Sequence, residues 1–147
     1  MREVTRSALV ARPPALMYRL VEQVERYPEF VPGCTSAEVL ERSGAQMLAR
    51  LAVRRGPLRT HFTTRNELDP GRGVQMHLVE GPFRALEGRW SFTPIAEQGC
   101  RIELHMRFQF SNALKSALFD SLFEETAASL VRAFVARAQS LPASGVP

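Results

Sequence analysis

Residues 113–138, ALKSALFDSLFEETAASLVRAFVARA, decide how the rest of the chain must fold. Leu114, Leu118, Phe119, Leu122, Phe123, Leu130, Val131, Phe134 and Val135 follow one another largely at helical spacings. Residues three and four apart stack on one side of an α-helix, so the stretch carries a single apolar stripe. Lys115, Asp120, Glu124, Glu125, Arg132 and Arg137 fall largely outside it. Ser111-Asn112 offers an N-cap, because a short side-chain oxygen can accept a backbone N–H that the first turn leaves unpaired. Pro142 ends the region. At its rise per residue such a helix is roughly 35–40 Å long. No other stretch can match it, so the stripe needs a flat, wide partner. That requirement predicts a sheet.

Working outward, the apolar period changes from helical to two between Thr35 and Gln109. Met47, Leu51 and Val53 alternate with Gln46, Arg50 and Arg54; Thr60, Phe62, Thr64, Asn66 and Leu68 alternate with Arg59, His61, Thr63, Arg65 and Glu67. Val74, Met76 and Leu78 share one phase, as do Leu86, Trp90 and Phe92. The clearest alternation is the last, with Cys100, Ile102, Leu104, Met106, Phe108 and Phe110 on one side. Gly56-Pro57, Asp69-Pro70-Gly71, Gly81-Pro82 and Glu97-Gln98-Gly99 turn the chain between these runs. Short turns join antiparallel neighbours. With Val4–Val10 and Thr35–Glu41 added, about seven strands are expected. Each has one wet and one dry face. Pro13-Pro14 opens a further short helix, and the prolines at 28 and 32 bracket Phe30 and Val31. The expected architecture is α+β: a curved antiparallel sheet wrapped around the long C-terminal helix.

A chain of 147 residues suits one domain, taken as residues 1–140 with a flexible tail over 141–147. Its hydrophobic and charged contents, 45% and 23%, are those of a globular protein. The longest apolar runs fall short of the ~20 residues a membrane-spanning helix needs. The N-terminus has no apolar signal segment, so a cytoplasmic protein is expected. Cys34 and Cys100 match no zinc spacing and read as buried, reduced thiols. The net charge of +4 is carried almost wholly by arginine, Lys115 being the only lysine.

Little in the sequence points to catalysis. His61, His77 and His105 all lie on the polar phase of strands, and no serine sits in a nucleophile elbow. Gly71-Arg72-Gly73 is a hairpin turn without the helix a phosphate loop requires. Metal-ligand spacing is absent, and no cofactor is called for. Two features are more informative. Thr60, Thr64 and Asn66 share the inward phase of Phe62, so they are either bonded internally or line a cavity with polar points in an apolar wall. On the outward phase Arg50, Arg54, Arg55, Arg59 and Arg65 gather about Gly56-Pro57. A tight hairpin there brings Arg54 and Arg59 together, which suits either a solvated face or an acidic partner such as a phosphate backbone. No aromatic residue interleaves with these arginines, so base stacking is not suggested; DNA is not among the expected partners.

Tyr27-Pro28-Glu29-Phe30-Val31-Pro32-Gly33-Cys34, Phe62-Thr63-Thr64-Arg65-Asn66, Gly81-Pro82-Phe83, Trp90-Ser91-Phe92-Thr93-Pro94 and Cys100-Arg101-Ile102-Glu103 follow in that order. The ordered set resembles the coenzyme Q-binding, polyketide cyclase/START-like family over about Val4 to Ala138, and within it the bacterial ribosome-association toxin branch. Gly33 stands where many relatives carry Trp. The resemblance implies a helix-grip fold over a hydrophobic cavity and two alternative non-enzymatic functions. In the favoured one the protein holds a ubiquinone-like polyprenyl lipid in support of respiratory electron transfer, with transient contact at the inner membrane. Tyr27, Phe30, Val31 and Pro32 would then form the entrance. Phe62, Trp90, Phe108, Leu118, Phe119, Leu122 and Phe123 would line the wall, and Thr64 or Asn66 would bond a quinone carbonyl. In the alternative the protein binds the large ribosomal subunit through Arg50, Arg54, Arg55 and Arg59 and blocks subunit association. A cyclase-like enzyme is the least favoured reading, because the inward faces lack an acid–base pair.

Overall fold

Strand phase and hairpin turns produce a single sheet in which the first strand closes against the last. A computed structural model describes residues 1–142. In chain order these form β1 (Arg2–Val10), α1 (Pro14–Glu22), a 3-10 segment (Val24–Glu29), β2 (Cys34–Ser43), β3 (Gln46–Arg55), β4 (Leu58–Asp69), β5 (Gly73–Glu80), β6 (Phe83–Ile95), β7 (Gly99–Phe110), a second 3-10 turn (Asn112–Leu114) and α2 (Ala117–Gln139). The sheet order is β1-β7-β6-β5-β4-β3-β2. Every neighbouring pair is antiparallel. Five successive hairpins build β2 to β7, while α1 and its 3-10 extension carry the chain from one sheet edge to the other. α2 packs on β1 and β7 and also reaches β3, so the sheet bends around it. This is the helix-grip arrangement that the stripe and the alternating strands require.

The core is aromatic and aliphatic. On β7 the inward residues Cys100, Ile102, Leu104, Met106, Phe108 and Phe110 are all buried, as are Phe123, Ala127, Val131, Phe134 and Ala138 on α2. Each large apolar side chain removed from water contributes about 1.5–3 kcal/mol, before the entropy of ordering it. β6 departs from simple alternation. A register shift between Phe83 and Ala85 turns Phe83 inward on the same side as Leu86, and both are buried. Gly33 has φ of +84°, and a Cβ there would stand 3.0 Å from the Arg54 carbonyl oxygen. A tryptophan at that position would be strained in this backbone, so glycine fits it.

One expectation about the C-terminal region is corrected. α2 begins at Ala117, not near Ala113, and Ser111 makes no side-chain cap bond. Lys115 is extended, and Ser116 becomes the cap: its Oγ accepts the Phe119 N–H at 3.0 Å. Starting one turn later removes Leu114 from the helix and leaves Leu118, in the first turn, 56% exposed. Of the tail expected over 141–147, two residues are described, Leu141 and Pro142. Leu141 packs partly on the core, and the Arg12 guanidinium donates to its carbonyl at 3.4 Å. Residues 143–147 lie outside the described residues.

Candidate functional site

The inward face was expected to line a cavity, and the structure fills its centre with rings. Phe123 lies 4.7 Å from Phe108, 5.4 Å from Phe83, 5.6 Å from Phe110 and 6.2 Å from Phe62, measured between ring centroids. Phe83 stacks on Phe110 at 4.6 Å. Such separations are those of packed aromatic pairs. Phe62, Phe108 and Phe123 are therefore brought together. Trp90 joins a second group through Phe134, at 5.2 Å. Phe119 and Leu122 are half-buried, and Leu118 points away from the interior. Phe83, which sequence phase alone missed, occupies the middle of the cluster; its only signal was its place directly after Gly81-Pro82.

The proposed entrance divides. Tyr27 is buried, packs edge-on against Phe134 at 5.3 Å, and donates its hydroxyl hydrogen to the Val21 carbonyl. Burial raises its phenol far above the ordinary range, which keeps it a neutral donor. Val31 is buried too. These two fasten the 3-10 segment and the turn after it to the core. Phe30 and Pro32 instead line a cleft of about 510 Å³ outside α2, shared with Ser129, Arg132, Ala133, Ala136, Arg137 and Ser140. Four further surface clefts measure about 270 to 420 Å³. None of these five is lined by Phe62, Thr64, Asn66, Phe108, Phe119 or Phe123.

The inward polar residues are buried at Thr60, Thr64 and Asn66. Thr64 Oγ1 donates to Asn66 Oδ1 at 2.7 Å, so this pair is bonded internally. Thr60 Oγ1 has no hydrogen-bond partner among the described residues. Thr63, read as outward, is also buried; a register shift between Thr63 and Thr64 against β5 breaks the alternation there.

The outward face carries the arginines. Arg54 and Arg59 are direct cross-strand partners at the end of the β3–β4 hairpin. Arg50 opposes Glu38 on β2 and Thr63 on β4, while Arg65 opposes Leu48 and His77. No ion pair within 4.0 Å joins Arg50, Arg54, Arg59 or Arg65 to a described carboxylate. Arg55 does not belong to this group. Alternation turns it to the opposite face, where its Nε lies 3.4 Å from Glu125 and its Nη1 donates to Ser129 Oγ at 3.1 Å. Ser129 also receives Arg132 Nη2 at 3.2 Å. Sequence reading passed over Ser129, although a polar residue three positions after Thr126 on the buried side of α2 was its signal.

His61 and His77 are exposed on the outer face. His105 Nε2 lies 2.7 Å from Glu3, and that hydrogen bond holds the Glu3 carboxyl below its usual range. Cys34 and Cys100 are both free and buried. No helix among the described residues is long and apolar enough to cross a membrane.

Comparison with known proteins adds to this geometry. Residues 10–135 match the family model described as polyketide cyclase / dehydrase and lipid transport. The chain is 43% identical over 141 residues to the ribosome association toxin RatA of Escherichia coli (strain K12), covering 96% of this chain and 89% of that protein. It is 29% identical over 122 residues to the mitochondrial coenzyme Q-binding protein COQ10 homolog B of Xenopus laevis, covering 80% of this chain and 50% of the relative. The crystal structure of the Zhui aromatase/cyclase from Streptomyces sp. R1128 superposes with a TM-score of 0.85 at 20% identity, covering 99% of each chain. That likeness extends to the fold.

Proposed function

The chain belongs to the polyketide cyclase / dehydrase and lipid transport family, and from that premise we propose that it is a non-enzymatic, cytoplasmic regulator that binds the large ribosomal subunit and hinders subunit association. The observation that carries this reading is the Arg54–Arg59 pair. Two like charges directly opposed on a sheet cost stability, and no described carboxylate pairs with either. A phosphate backbone supplies the missing counter-charge. The 43% identity to a protein named for ribosome association supports the same choice. The inward polar set of Thr60, Thr64 and Asn66 holds no carboxylate or histidine, which supports a binding role over acid–base chemistry. Co-sedimentation with purified ribosomal subunits tests the proposal. Wild-type protein is expected to travel with the large subunit, and the Arg54→Glu/Arg59→Glu protein to stay in the supernatant. Equal binding by both proteins would overturn it.

A second reading rests on Thr60. Its buried hydroxyl lacks a protein partner, and such a group is stabilised by an acceptor brought in from outside. A quinone carbonyl is an acceptor of that kind, and the coenzyme Q-binding relative points the same way. On this reading the protein carries a ubiquinone-like lipid, with transient contact at the inner membrane surface, and Phe123 yields its place to the ligand. Solvent extraction and mass spectrometry of the purified protein checks it. Protein that is empty and takes up no added quinone would remove this reading.

A further inference from the structure

We propose that the cleft between the C-terminal half of α2 and the residues Phe30 and Pro32 is a second contact for nucleic-acid phosphate, with the Arg132 guanidinium as its principal ligand and the Ser129 hydroxyl as a second donor. For the source of the phosphate the inference rests on the ribosome reading; the binding chemistry is independent of it. Ser129 is 6% exposed and its Oγ accepts from two guanidiniums, Arg55 Nη1 at 3.1 Å and Arg132 Nη2 at 3.2 Å. Two cations converging on one neutral oxygen repel each other unless an anion lies near both. Glu125, 3.4 Å from Arg55 Nε and largely exposed, compensates one of them. Arg137, on the same cleft, is paired with Glu29 at 2.9 Å and lies over the Phe30 ring at 5.0 Å. Arg132 forms no ion pair with a described carboxylate, and its bond to Ser129 is the one recorded for its side chain. The uncompensated charge of the cleft is thus on Arg132.

The Ser129 hydroxyl adds a donor. Both of its recorded bonds use the oxygen as acceptor, so its hydrogen remains available to a phosphate oxygen. The cleft of about 510 Å³ is walled by Ala133, Ala136 and Ser140, whose small side chains leave room beside the guanidinium. Its rim is tied through the backbone to β3, the strand that carries Arg54. Pro32 lines the cleft, and the carbonyl of the next residue, Gly33, accepts the Arg54 N–H at 2.7 Å.

Full-length protein would be titrated with inorganic phosphate while the arginine side-chain N–H signals are followed by NMR. The same preparations would be titrated with large ribosomal subunits at several salt concentrations. Expected are saturable shifts at Arg55 and Arg132 that Arg132→Gln abolishes and that Arg54→Glu/Arg59→Glu retains. Arg132→Gln should weaken subunit binding about tenfold and lower the salt slope by about 0.7–0.9. Ser129→Ala should weaken phosphate binding while leaving the Arg54–Arg59 contact intact. Phosphate shifts without any subunit binding would retain the cleft, remove the ribosome reading and make a free phosphate ester the ligand. Unmoved arginine signals, or unchanged subunit affinity and salt slope for Arg132→Gln, would overturn the cleft while leaving the Arg54–Arg59 proposal standing.

Discussion

Arg54 and Arg59 face each other across the β3–β4 hairpin with no described carboxylate bonded to either. The relationship sets stability against binding at one place. Arg59→Glu replaces a like-charge pair by an opposite-charge pair and should stabilise the protein by about 0.5 kcal/mol. The same change should weaken association with the large ribosomal subunit. Urea denaturation and subunit titration on one preparation measure both signs. A variant that is less stable and binds as well as wild type would contradict the pairing and its role together.

Phe108 and Leu118 were both expected to line an apolar wall, and they should respond oppositely to truncation. Phe108 is fully buried against Phe123, so Phe108→Ala should cost about 3–5 kcal/mol. Leu118 is more than half exposed, and Leu118→Ala should stay within about 0.5 kcal/mol of wild type. Chemical denaturation of the two variants separates core from surface.

The start of α2 is equally open to test. Ser116→Ala removes the oxygen that accepts the Phe119 N–H and should cost about 1 kcal/mol. Ser111→Ala removes no cap bond and should leave thermal stability nearly unchanged. A larger loss at Ser111 than at Ser116 would return the helix start to the earlier position.

Cys34 gives a dependence on alkaline pH. Burial pushes its thiol up to about 11 from an ordinary 9.0. The folded thiol keeps its proton where the unfolded thiol loses it. Its contribution to stability is therefore whole below pH 9 and falls as pH rises from there toward 11. Alkylation by iodoacetamide at pH 8.5 should be far slower in native than in urea-unfolded protein, because the thiolate is the nucleophile. Equal rates would show an accessible, ionised thiol.

Regular alternation made most of the sheet legible in the sequence. Cys100 to Phe110 reads unambiguously, since each inward residue is apolar and each neighbour polar, and β7 follows it without interruption. What was not legible depends on breaks in a period. The register shift at Phe83 places two residues of opposite parity on one face, and the shift at Thr63 buries a threonine read as exposed. At the helix start, two serines compete as caps, and only the extended backbone at Lys115 selects Ser116. Arg55 was grouped with Arg54 by adjacency although alternation separates them; its contacts with Glu125 and Ser129 come from residues 70 positions or more distant in sequence. Long-range pairings of that kind leave no local pattern to read.

The position of Phe123 has a mechanical consequence. Its ring is wedged among four others, from Phe62 on β4 to Phe110 on β7, so it acts as the plug of the space that the sheet encloses. Phe123 is carried by α2, and α2 is joined to β7 only by the short stretch from Ser111 to Ser116. Separating the aromatic cluster and displacing α2 from the sheet are thereby coupled. Exchange of the α2 backbone amides is expected to report that coupled opening.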